Sequence, residues 1–404
     1  MKILMICHFL PYPPHGGNLQ RSFNLLREIS RNNKIHLLAL NQKAILPDEE
    51  SINRGIEALS EFCEEIKVYA IPLDLSKFKW YLNLFLNLFS PLPFTVRWFK
   101  SGELRNEIEK QIRSCQFDLI HFDTIDLFQY SGIIPDIPRV LNHHNVESTL
   151  LLRRGANEKN IFTKFYLNLQ GRKLKRYEKY AVGKVNVNIT VSESDSETLR
   201  KAEPRGKFKV VPNGTDINYF TPAQKGDSKE LVYIGGMNWY PNRDAMIYFY
   251  TSIYPIIKME IPDVIMNIIG QDPPKELARF ATDDTSLRIH GYVEDVRDYI
   301  SRSAVYVVPI RVGGGTRLKI LDAFACGKAL VSTSIGCEGI DVSPGNNILI
   351  GDSSGEFADQ VIKLIKDETL RRKLEINARK LVEEKYSWEI IGRRLNEIYG
   401  NAVK

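Results

Sequence analysis

The sequence predicts an α/β protein built from two doubly wound parallel-sheet domains, and three observations support this. Short apolar runs alternate with helical segments or loops along the chain. Its 404 residues are enough for two or three domains of about 100 to 200 residues each. A stretch of turn-forming residues, Glu203 to Lys229, separates two such alternating halves. We therefore expect domains at 1–210 and 211–404, with a hinge near 210–228.

Composition excludes several protein classes. Hydrophobic residues make up 43% and charged residues 26% of the chain, with a net charge of +6, which is typical of a soluble globular protein. The five cysteines are scattered and form no CxxC, which argues against a disulfide framework or a zinc site and favours a reducing cytoplasm. The apolar run WYLNLFLNLF contains two asparagines and is too short to span a bilayer, so no transmembrane helix is expected.

The first half begins with a βαβ unit. A strand at Lys2 to Cys7 and a glycine-containing loop precede a helix, and a second strand follows at Ile35 to Leu40. In that helix the apolar residues recur every three or four positions; they are Leu19, Phe23, Leu26 and Ile29. A right-handed crossover between these strands implies a parallel sheet. Further strands are expected at Ile66 to Ile71, Leu119 to Phe122, Val140 to Leu141 and Val185 to Val191.

The second half repeats this alternation more regularly and predicts a second doubly wound domain. Its strands are expected at Leu231 to Ile234, Val264 to Ile269, Leu287 to His290, Ala304 to Pro309 and Ala329 to Ser332. A last amphipathic helix, 387–404, has no strand of its own to follow it and is expected to cross back to the first domain. In such a protein the default active site is a cleft between the carboxyl ends of the two sheets.

The first candidate site is the segment PPHGGN, which follows the first strand and opens the next helix. Gly16 and Gly17 would let the backbone approach a ligand, and amides at a helix N-terminus favour an anion. The alternative is that the two glycines only form a tight turn. The full GxGxxG fingerprint is absent, which disfavours a nicotinamide enzyme.

The second candidate site is the segment from Val307 to Thr333, in which a strand, three successive glycines and a helix follow one another. Arg317 and Lys319 supply two cations beside the glycine amides, a combination suited to a diphosphate. Asp322, one turn further on, is suited to accept hydrogen bonds from vicinal hydroxyls such as those of a ribose. The alternative is a flexible loop leading into a solvated basic helix.

This segment resembles the signature region of the bacterial group 1 glycosyltransferases, retaining nucleotide-sugar enzymes of the GT-B fold. Here the motif is GGGTRLKILD. Further motifs of the family occur in order along most of the chain. They are PYPPHGGN, HHNVES, VPNGTD, YIGGMNWYPNRD, HGYVEDV and EKYSW. The resemblance implies two Rossmann-like domains facing each other across a cleft, with the second domain binding the donor.

The resemblance also implies roles for individual residues. Asp322 stands at the position of the family's glutamate that holds the donor ribose, and Gly314 replaces the glutamate that contacts the donor sugar. The backbone amides of Gly314, Gly315 and Thr316 would then serve in its place. Of the basic pair that binds the diphosphate in the family, the first position is Met237.

Three basic residues remain for the diphosphate. Arg243 lies in rough register with the second basic position of the family, in the same loop region as Gly236, which we assign to the donor site. Arg317 and Lys319 are expected to supply the charge that Met237 lacks.

His144 is the candidate catalytic residue, because the resemblance aligns it with a histidine that faces the donor. An imidazole can bind a phosphate or a sugar hydroxyl, or transfer a proton near neutral pH; a purely structural histidine is the alternative. His143 is expected to point elsewhere, and His121 and Asp123 follow another strand toward the same cleft. No metal-binding motif is present, so cationic side chains and helix dipoles are expected to stabilise the leaving group.

Two basic segments remain. Lys77 to Lys100 contains four basic and no acidic residues among many aromatic ones, including Trp80, Phe85, Phe89, Trp98 and Phe99. This segment either lies in a membrane interface or packs over the sheet. Arg153 to Lys184 has ten basic and two acidic residues, which suits anionic lipid, an acceptor phosphate or simply a solvated face. Nucleic acid is disfavoured, since no binding motif accompanies the charge.

Together these observations predict a cytoplasmic glycosyltransferase, at the inner face of the cell membrane, that needs no cofactor. Its donor would be a UDP-, GDP- or ADP-sugar, and its acceptor a hydroxyl of a lipid-linked or polysaccharide precursor. The alternatives are a nucleotide-sugar epimerase of the same fold and a non-catalytic scaffold that binds sugar nucleotides.

Overall fold

A computed structural model describes residues 1–14, 16–223, 229–313, 315 and 317–404. The chain forms two compact units: the first comprises Met1–Pro212 and Ile391–Lys404, and the second Asn213–Ile390. The last helix, Trp388–Val403, therefore contributes most of its length to the first unit. Among the described residues, no helix is both long and apolar enough to cross a bilayer.

The first unit contains a seven-stranded sheet in which every paired strand is parallel. Its strands are β1 Lys2–Cys7, β2 Lys34–Asn41, β3 Glu65–Ala70, β4 Leu119–Phe122, β5 Arg139–Asn142, β6 Val187–Thr190 and β7 Phe208–Val210. Their spatial order is β3-β2-β1-β4-β5-β6-β7, which is a doubly wound topology. The chain reverses its direction of winding between β1 and β4, which is the position where ligands bind in open α/β sheets.

Burial explains why these segments are strands. Ile3 to Cys7 in β1 are almost completely buried, as expected for parallel strands covered by helices on both faces. The predicted strands of this unit appear with ends that differ by at most two residues. The exception is β7, which lies inside the stretch that the sequence presents as turns. It has only three residues, none of them fully buried, so it leaves no apolar run to detect.

The helices of the first unit begin at recognisable caps. The side chains of Asp48, Ser76, Ser101, Asn160 and Ser192 each accept a hydrogen bond from a backbone N–H in the first turn of the helix that follows. The helices are α1 Gly17–Ser30, α2 Glu49–Leu59, α3 Lys77–Leu86, α4 Phe94–Trp98, α5 Gly102–Ser114, α6 Glu147–Asn157, α7 Ile161–Val182 and α8 Glu193–Ala202, with 3-10 helices at Asn87–Phe89 and Ile125–Ile133.

The second unit repeats the same topology with a six-stranded parallel sheet. Its strands are β8 Glu230–Ile234, β9 Ile265–Ile269, β10 Leu287–Gly291, β11 Val305–Val308, β12 Leu330–Ser332 and β13 Leu349–Ile350, in the order β10-β9-β8-β11-β12-β13. The reversal lies between β8 and β11. Strand β13 has only two residues and is not predicted from the sequence.

The helices of the second unit surround this sheet. They are α9 Tyr240–Tyr248, α10 Tyr254–Glu260, α11 Lys275–Asp283, α12 Arg297–Arg302, α13 Leu318–Ala325, α14 Ser354–Lys366 and α15 Glu368–Lys385, with a π-helical turn at Phe249–Ile253 between α9 and α10; helix α16 is Trp388–Val403. The sequence predicts a helix that carries both Arg317 and Lys319. In the structure Arg317 has an extended backbone and α13 begins one residue later.

Two motifs that are distant in sequence meet in the second unit. In VPNGTD, the Thr215 N–H donates to the Tyr386 carbonyl at 2.8 Å, and in EKYSW the Trp388 N–H donates to the Thr215 carbonyl at 3.3 Å. The indole of Trp388 is buried against Gly214, where a β-carbon would lie 2.8 Å from the ring. Glycine is therefore required at this position because the backbone and a rigid aromatic ring approach so closely.

We expect Gly214→Ala to destabilise the protein, because the new methyl group would overlap with the Trp388 ring. An overpacked core position costs about 1 to 3 kcal/mol of the free energy of unfolding, which urea denaturation would measure. The matched control is Gly355→Ala in α14, where a β-carbon meets nothing within 4 Å. If both variants unfold at the same urea concentration, the packing constraint at Gly214 is wrong.

Candidate functional site

Each sheet carries a cluster of polar side chains beyond the carboxyl ends of its strands, close to the point where its topology reverses. In the second unit the cluster follows β8 and β11, and in the first unit it follows β1, β4 and β5. These are the positions where doubly wound folds bind ligands. The two clusters differ in charge, so they are described separately.

The cluster of the second unit is centred on the ammonium group of Lys319. This group donates hydrogen bonds to the hydroxyl of Tyr233 at 2.8 Å and to Oδ1 of Asn242 at 3.0 Å. The Tyr233 hydroxyl donates to the same amide oxygen at 2.6 Å, and the Asn242 amide donates to the Gly236 carbonyl at 2.8 Å. Lys319 is thus held by neutral oxygens. Burial, and then the charge of Arg317, keep its pKa well below the usual lysine value.

A glycine after β8 makes room for this ammonium group. A β-carbon on Gly235 would lie 2.4 Å from Nζ of Lys319. Gly270, after β9, is equally restricted, since its β-carbon would lie 2.1 Å from the Gly235 carbonyl oxygen. The paired glycines of the YIGGMN motif therefore allow a buried cation to approach the backbone at the end of the strand.

Arg317 supplies a second cation at this strand end. It is 95% buried, and its guanidinium lies 5.0 Å from the centre of the Trp239 ring. A cation over an indole face is stabilised by the ring quadrupole. The charge of Arg317 contributes to the lowered pKa of Lys319, so the two cations repel each other. An anion placed between them would relieve that repulsion.

Asp322 lies one turn beyond Lys319 on α13 and is half-buried. Its Oδ1 accepts a hydrogen bond from the Thr215 hydroxyl at 2.8 Å, which connects the VPNGTD motif to the signature helix. Burial raises the pKa of Asp322 to about 7; the Thr215 bond opposes this rise and the charge of Asp216 adds to it. The carboxyl group therefore changes charge near neutral pH.

The other predicted donor-site residues of the second unit have different environments. Gly236 lies in the loop after β8 and accepts the Asn242 bond, whereas Arg243 is exposed and lies 5.8 Å from the Tyr240 ring. Gly315 has a backbone φ of 79°, which favours glycine. Gly314 and Thr316 lie outside the described residues. Met237, at the expected basic position, is buried in the hydrophobic core.

The cluster of the first unit is centred on the carboxylate of Asp123, directly after β4 and fully buried. Its Oδ2 lies 3.3 Å from Nε2 of His144 and 3.5 Å from Nδ1 of His8. Burial alone would raise the pKa of Asp123, but the charges and hydrogen bonds of His144 and His8 hold it well below its usual range. The carboxylate therefore stays ionised and fixes the position of both imidazoles.

Neutral groups complete the environment of Asp123. The Ser22 hydroxyl on α1 lies 3.1 and 3.0 Å from its two oxygens, and the Asn142 amide at the end of β5 donates to its carbonyl at 3.3 Å. Arg21 is also buried. It donates hydrogen bonds to the side-chain oxygen of Asn142 and to the backbone carbonyls of residues 211 and 212, directly after β7. These contacts connect α1, β4 and β5 around His144.

His144 has one ring nitrogen directed at Asp123, and its Nδ1 has no hydrogen-bond partner among the described residues. His121 and His143 have structural partners instead. The Tyr399 hydroxyl of α16 lies 2.7 Å from Nδ1 of His121, and His143 Nε2 lies 3.1 Å from Asn188 Oδ1. Burial lowers the pKa of each of these two histidines to about 4, so both stay neutral at pH 7.

The predicted glycines of the first candidate site lie at the start of α1. Gly17 is the first helical residue, and Gly16, with φ of 89°, precedes it; both are exposed. The positive φ explains the glycine at position 16 through turn geometry. The structure does not show a role for either residue beyond this turn.

One group of side chains in the described residues could hold a metal ion. His8, Asp123 and His144 each offer a ligand atom, and these atoms lie within 4.8 Å of one another. The same three side chains also form a carboxylate paired with two imidazoles, since His8 and His144 each lie within 3.5 Å of Asp123.

Several residues of the two clusters are not predicted from the sequence. They are His8, Ser22, Asn142, Thr215, Tyr233, Trp239 and Asn242. Most of them lie within or beside the quoted motifs, so motif membership is the signal that could have found them. Tyr233 begins the motif YIGGMNWYPNRD, but its residue type indicates no chemistry, because a tyrosine in an apolar strand is typical of a core residue.

Comparison with known proteins places this architecture in a known group. A model of the family described as glycosyl transferases group 1 matches residues 228–367, and a model of glycosyltransferase family 4 matches residues 82–219. HepE of Anabaena, whose structure contains UDP, has 15% sequence identity and a TM-score of 0.71, with 99% of this chain and 100% of that chain aligned. The fold is therefore GT-B.

Two relatives show how the similarity is distributed. An uncharacterized 44.6 kDa protein in the cps region of Klebsiella pneumoniae is 22% identical over 95% of this chain and 96% of its own. An Escherichia coli enzyme named UDP-Gal:alpha-D-GlcNAc-diphosphoundecaprenol alpha-1,3-galactosyltransferase is 28% identical over 39% of this chain and 42% of its own. The first similarity spans the whole chain, and the second is local.

We expect Asp123→Asn to destabilise the protein at pH 7, because it removes the anion that both imidazoles contact. Loss of one partner of a buried pair costs about 3 to 5 kcal/mol. The low folded-state pKa of Asp123 stabilises the fold above the unfolded value of about 4, and this contribution is lost as the pH falls below it. Urea denaturation of the variant should therefore show a smaller loss of stability on acidification.

Asp126→Asn is the matched control for this experiment. Asp126 is also buried, but burial raises its pKa to about 6, so its ionised form destabilises the fold above that pH. Its replacement should leave the free energy of unfolding unchanged or increase it at about pH 8. Equal destabilisation by both substitutions would contradict the ion-paired role of Asp123.

Proposed function

Because this chain belongs to the group 1 glycosyltransferases, we propose that it transfers a sugar from a nucleoside diphosphate sugar to a hydroxyl of a lipid-linked or polysaccharide precursor. The donor is a UDP-, GDP- or ADP-sugar. The proposal includes retention of the anomeric configuration and a reaction that needs no metal ion or other cofactor. Its acceptor class is supported by the diphosphoundecaprenol-linked acceptor in the name of the E. coli relative.

The observation that carries this proposal is the pair of buried cations at the end of β8. Lys319 has neutral hydrogen-bond partners and a lowered pKa, and Arg317 lies close enough to repel it. A diphosphate supplies two negative charges and several acceptor oxygens, so its binding would offset the mutual repulsion of the two cations. As the sugar leaves, negative charge develops on the diphosphate, and fixed cations stabilise this charge without a metal.

We assign the ribose of the donor to Asp322, which lies one turn from the cations on the same helix. An ionised carboxylate accepts hydrogen bonds from two vicinal hydroxyls. The Thr215 hydroxyl already fixes one of its oxygens at 2.8 Å and thus orients the group. Gly236, Gly314, Gly315 and Thr316 are assigned to the same donor site as backbone contacts, and Arg243 as a peripheral cation.

We assign the catalytic role in the first unit to His144. Asp123 holds its Nε2, which leaves Nδ1 available to bind a reacting hydroxyl or phosphate oxygen. In the transfer, the bond between the anomeric carbon and the β-phosphate oxygen breaks, and the acceptor oxygen bonds to the same face of that carbon. The acceptor proton passes to the departing diphosphate.

The proposal is tested by incubating the purified chain with UDP-, GDP- and ADP-sugars and with polyprenyl-linked or polysaccharide precursors. Binding of one donor and formation of a product with the retained anomeric configuration are expected, and EDTA should leave the rate unchanged. Conversion of the donor's sugar into its epimer without any acceptor would indicate an epimerase instead. The proposal would be refuted if the chain neither bound nor hydrolysed any of these donors.

We expect Lys319→Ala to weaken donor binding by about 10- to 100-fold, since a charged hydrogen bond to phosphate contributes about 1.5 to 3 kcal/mol. Calorimetric titration with the bound donor measures the change. The matched control is Arg311→Ala in the loop before α13, because Arg311 already pairs with Asp244 at 2.9 Å. Equal affinities for wild type and Lys319→Ala would remove the proposed diphosphate site.

The affinity for an intact sugar nucleotide should rise with pH through neutrality. Burial holds the pKa of Asp322 at about 7, so acid pH leaves the group neutral and alkaline pH ionises it as the ribose acceptor. Titrations at about pH 6, 7 and 8 should show this rise in wild type and in Asp322→Glu. Asp322→Asn should bind weakly and without this dependence, and a pH-dependent Asn variant would contradict the assignment.

A further inference from the structure

The first unit exposes an unusual concentration of large hydrophobic side chains in two stretches of the chain. Eleven of the 21 such side chains exposed in the described residues lie in two short stretches of this unit, 75–92 and 161–165. We call them the apolar face; they are Leu75, Phe78, Tyr81, Leu82, Phe85, Leu86, Phe89, Leu92, Ile161, Phe162 and Phe165. Phe78, Phe89 and Phe162 are 75%, 79% and 82% exposed. Concentrated exposure of this kind marks an interaction surface.

Helix α3 has its hydrophobic and polar sides reversed relative to an ordinary surface helix. Its asparagine, Asn83, is 92% buried, and Asn87 directly after the helix is completely buried. Phe78, Tyr81 and Phe85 point outward instead. A surface helix of a soluble domain normally buries its apolar stripe and exposes its amides, so α3 must be held in this orientation by specific contacts.

Those contacts come from helix α7. Asn87 Oδ1 accepts from the Gln170 amide at 2.7 Å, and the Asn87 amide donates to the Leu92 carbonyl at 2.9 Å. The buried ammonium of Lys173 donates to the carbonyls of Asn87 and Leu88 at 2.6 and 3.3 Å, where it also balances the negative end of α3. The side chain of Asn87 and the ammonium of Lys173 are thus hydrogen-bonded in this orientation, in which the apolar side of α3 faces outward.

The charge around the apolar face is positive. Lys77 and Lys79 on α3 and Lys159 and Lys164 beside the start of α7 are exposed, and the segment 77–102 contains no acidic residue. Lysines at the margin of an apolar surface attract anionic lipid headgroups by about 1 kcal/mol each. A second copy of the same face would bring these positive charges together, which disfavours self-association through it.

We propose that the apolar face binds the surface of a lipid bilayer containing anionic phospholipids. Helix α3 lies in the plane of the headgroups, with its aromatic side chains between the headgroups and the acyl chains. The lysines of α3 and of the start of α7 contact phosphates at the same level. Not all of the basic and aromatic segment takes part, since Trp98 donates to Asp74 at 2.6 Å and Phe99 is buried in the core.

This surface goes beyond the proposed transfer reaction, because it binds lipid whether or not a donor or acceptor is present. Vesicle flotation without any sugar nucleotide therefore tests it. The full chain should float with vesicles of phosphatidylcholine and phosphatidylglycerol and much less with vesicles of phosphatidylcholine alone. High salt should reduce the binding to the anionic vesicles.

The double substitution Phe85→Ser and Phe89→Ser should weaken vesicle binding by at least about tenfold, because two exposed aromatic rings no longer enter the interface. Lys77→Gln with Lys79→Gln should reduce the preference for phosphatidylglycerol. The matched control is Met259→Ser with Ile376→Ser, which removes two side chains of the second unit that are 77% and 68% exposed. Donor affinity should stay unchanged in all three variants, which confirms that they are folded.

Three results would overturn the proposal. The first is failure of the wild-type chain to float with anionic vesicles. The second is equal flotation of the wild type and the Phe85→Ser and Phe89→Ser variant. The third is a wild-type dimer in sedimentation velocity that this variant converts to a monomer, which would assign the apolar face to a second copy of the chain.

Discussion

A parallel sheet covered by helices on both faces leaves its strand ends as the place where polar side chains collect, and both units depend on this constraint. The strands beside each reversal, such as β1, β4 and β11, are buried along nearly their whole length, so their polar chemistry lies in the loops that follow them. In the first unit Asp123 follows β4 and in the second Gly235 follows β8, each next to the topological reversal. The positions of the two clusters are therefore both consequences of the same sheet topology.

The two clusters differ in how far their buried charges are compensated. In the first unit a buried anion is compensated by two imidazoles, a hydroxyl and an amide, and its pKa falls as a result. In the second unit Lys319 is held by a hydroxyl and an amide oxygen, and its pKa falls because the cation is poorly compensated. A compensated cluster is suited to hold a catalytic group in position, whereas an undercompensated cation is suited to bind an anion.

The sequence predicted most strands because continuous apolar runs are a direct consequence of burial on both faces. It did not predict β7 and β13, which are too short to form such a run. The sequence also singles out Arg317 and Lys319 as candidate donor-site cations, but it does not predict their environment. Whether Lys319 meets Tyr233 and Asn242 depends on which side of a strand and of a helix each residue lies, and on the space that Gly235 leaves. A local sequence pattern determines neither the relative orientation of these side chains nor the space beside Gly235.

Buried amides decide orientation in places where hydrophobicity alone would give a different result. The apolar pattern of α3 by itself favours burial of its phenylalanines, yet they face outward, and Asn87 directly after the helix is buried and hydrogen-bonded. Asn242 acts similarly at the end of β8, where its amide is fixed by the Gly236 carbonyl and its oxygen then receives Lys319. An unsatisfied buried amide costs about 1 to 3 kcal/mol, comparable to exposing an apolar side chain. A buried asparagine can therefore contribute to which face of a helix is exposed, and the exposed face is the one that can bind a partner.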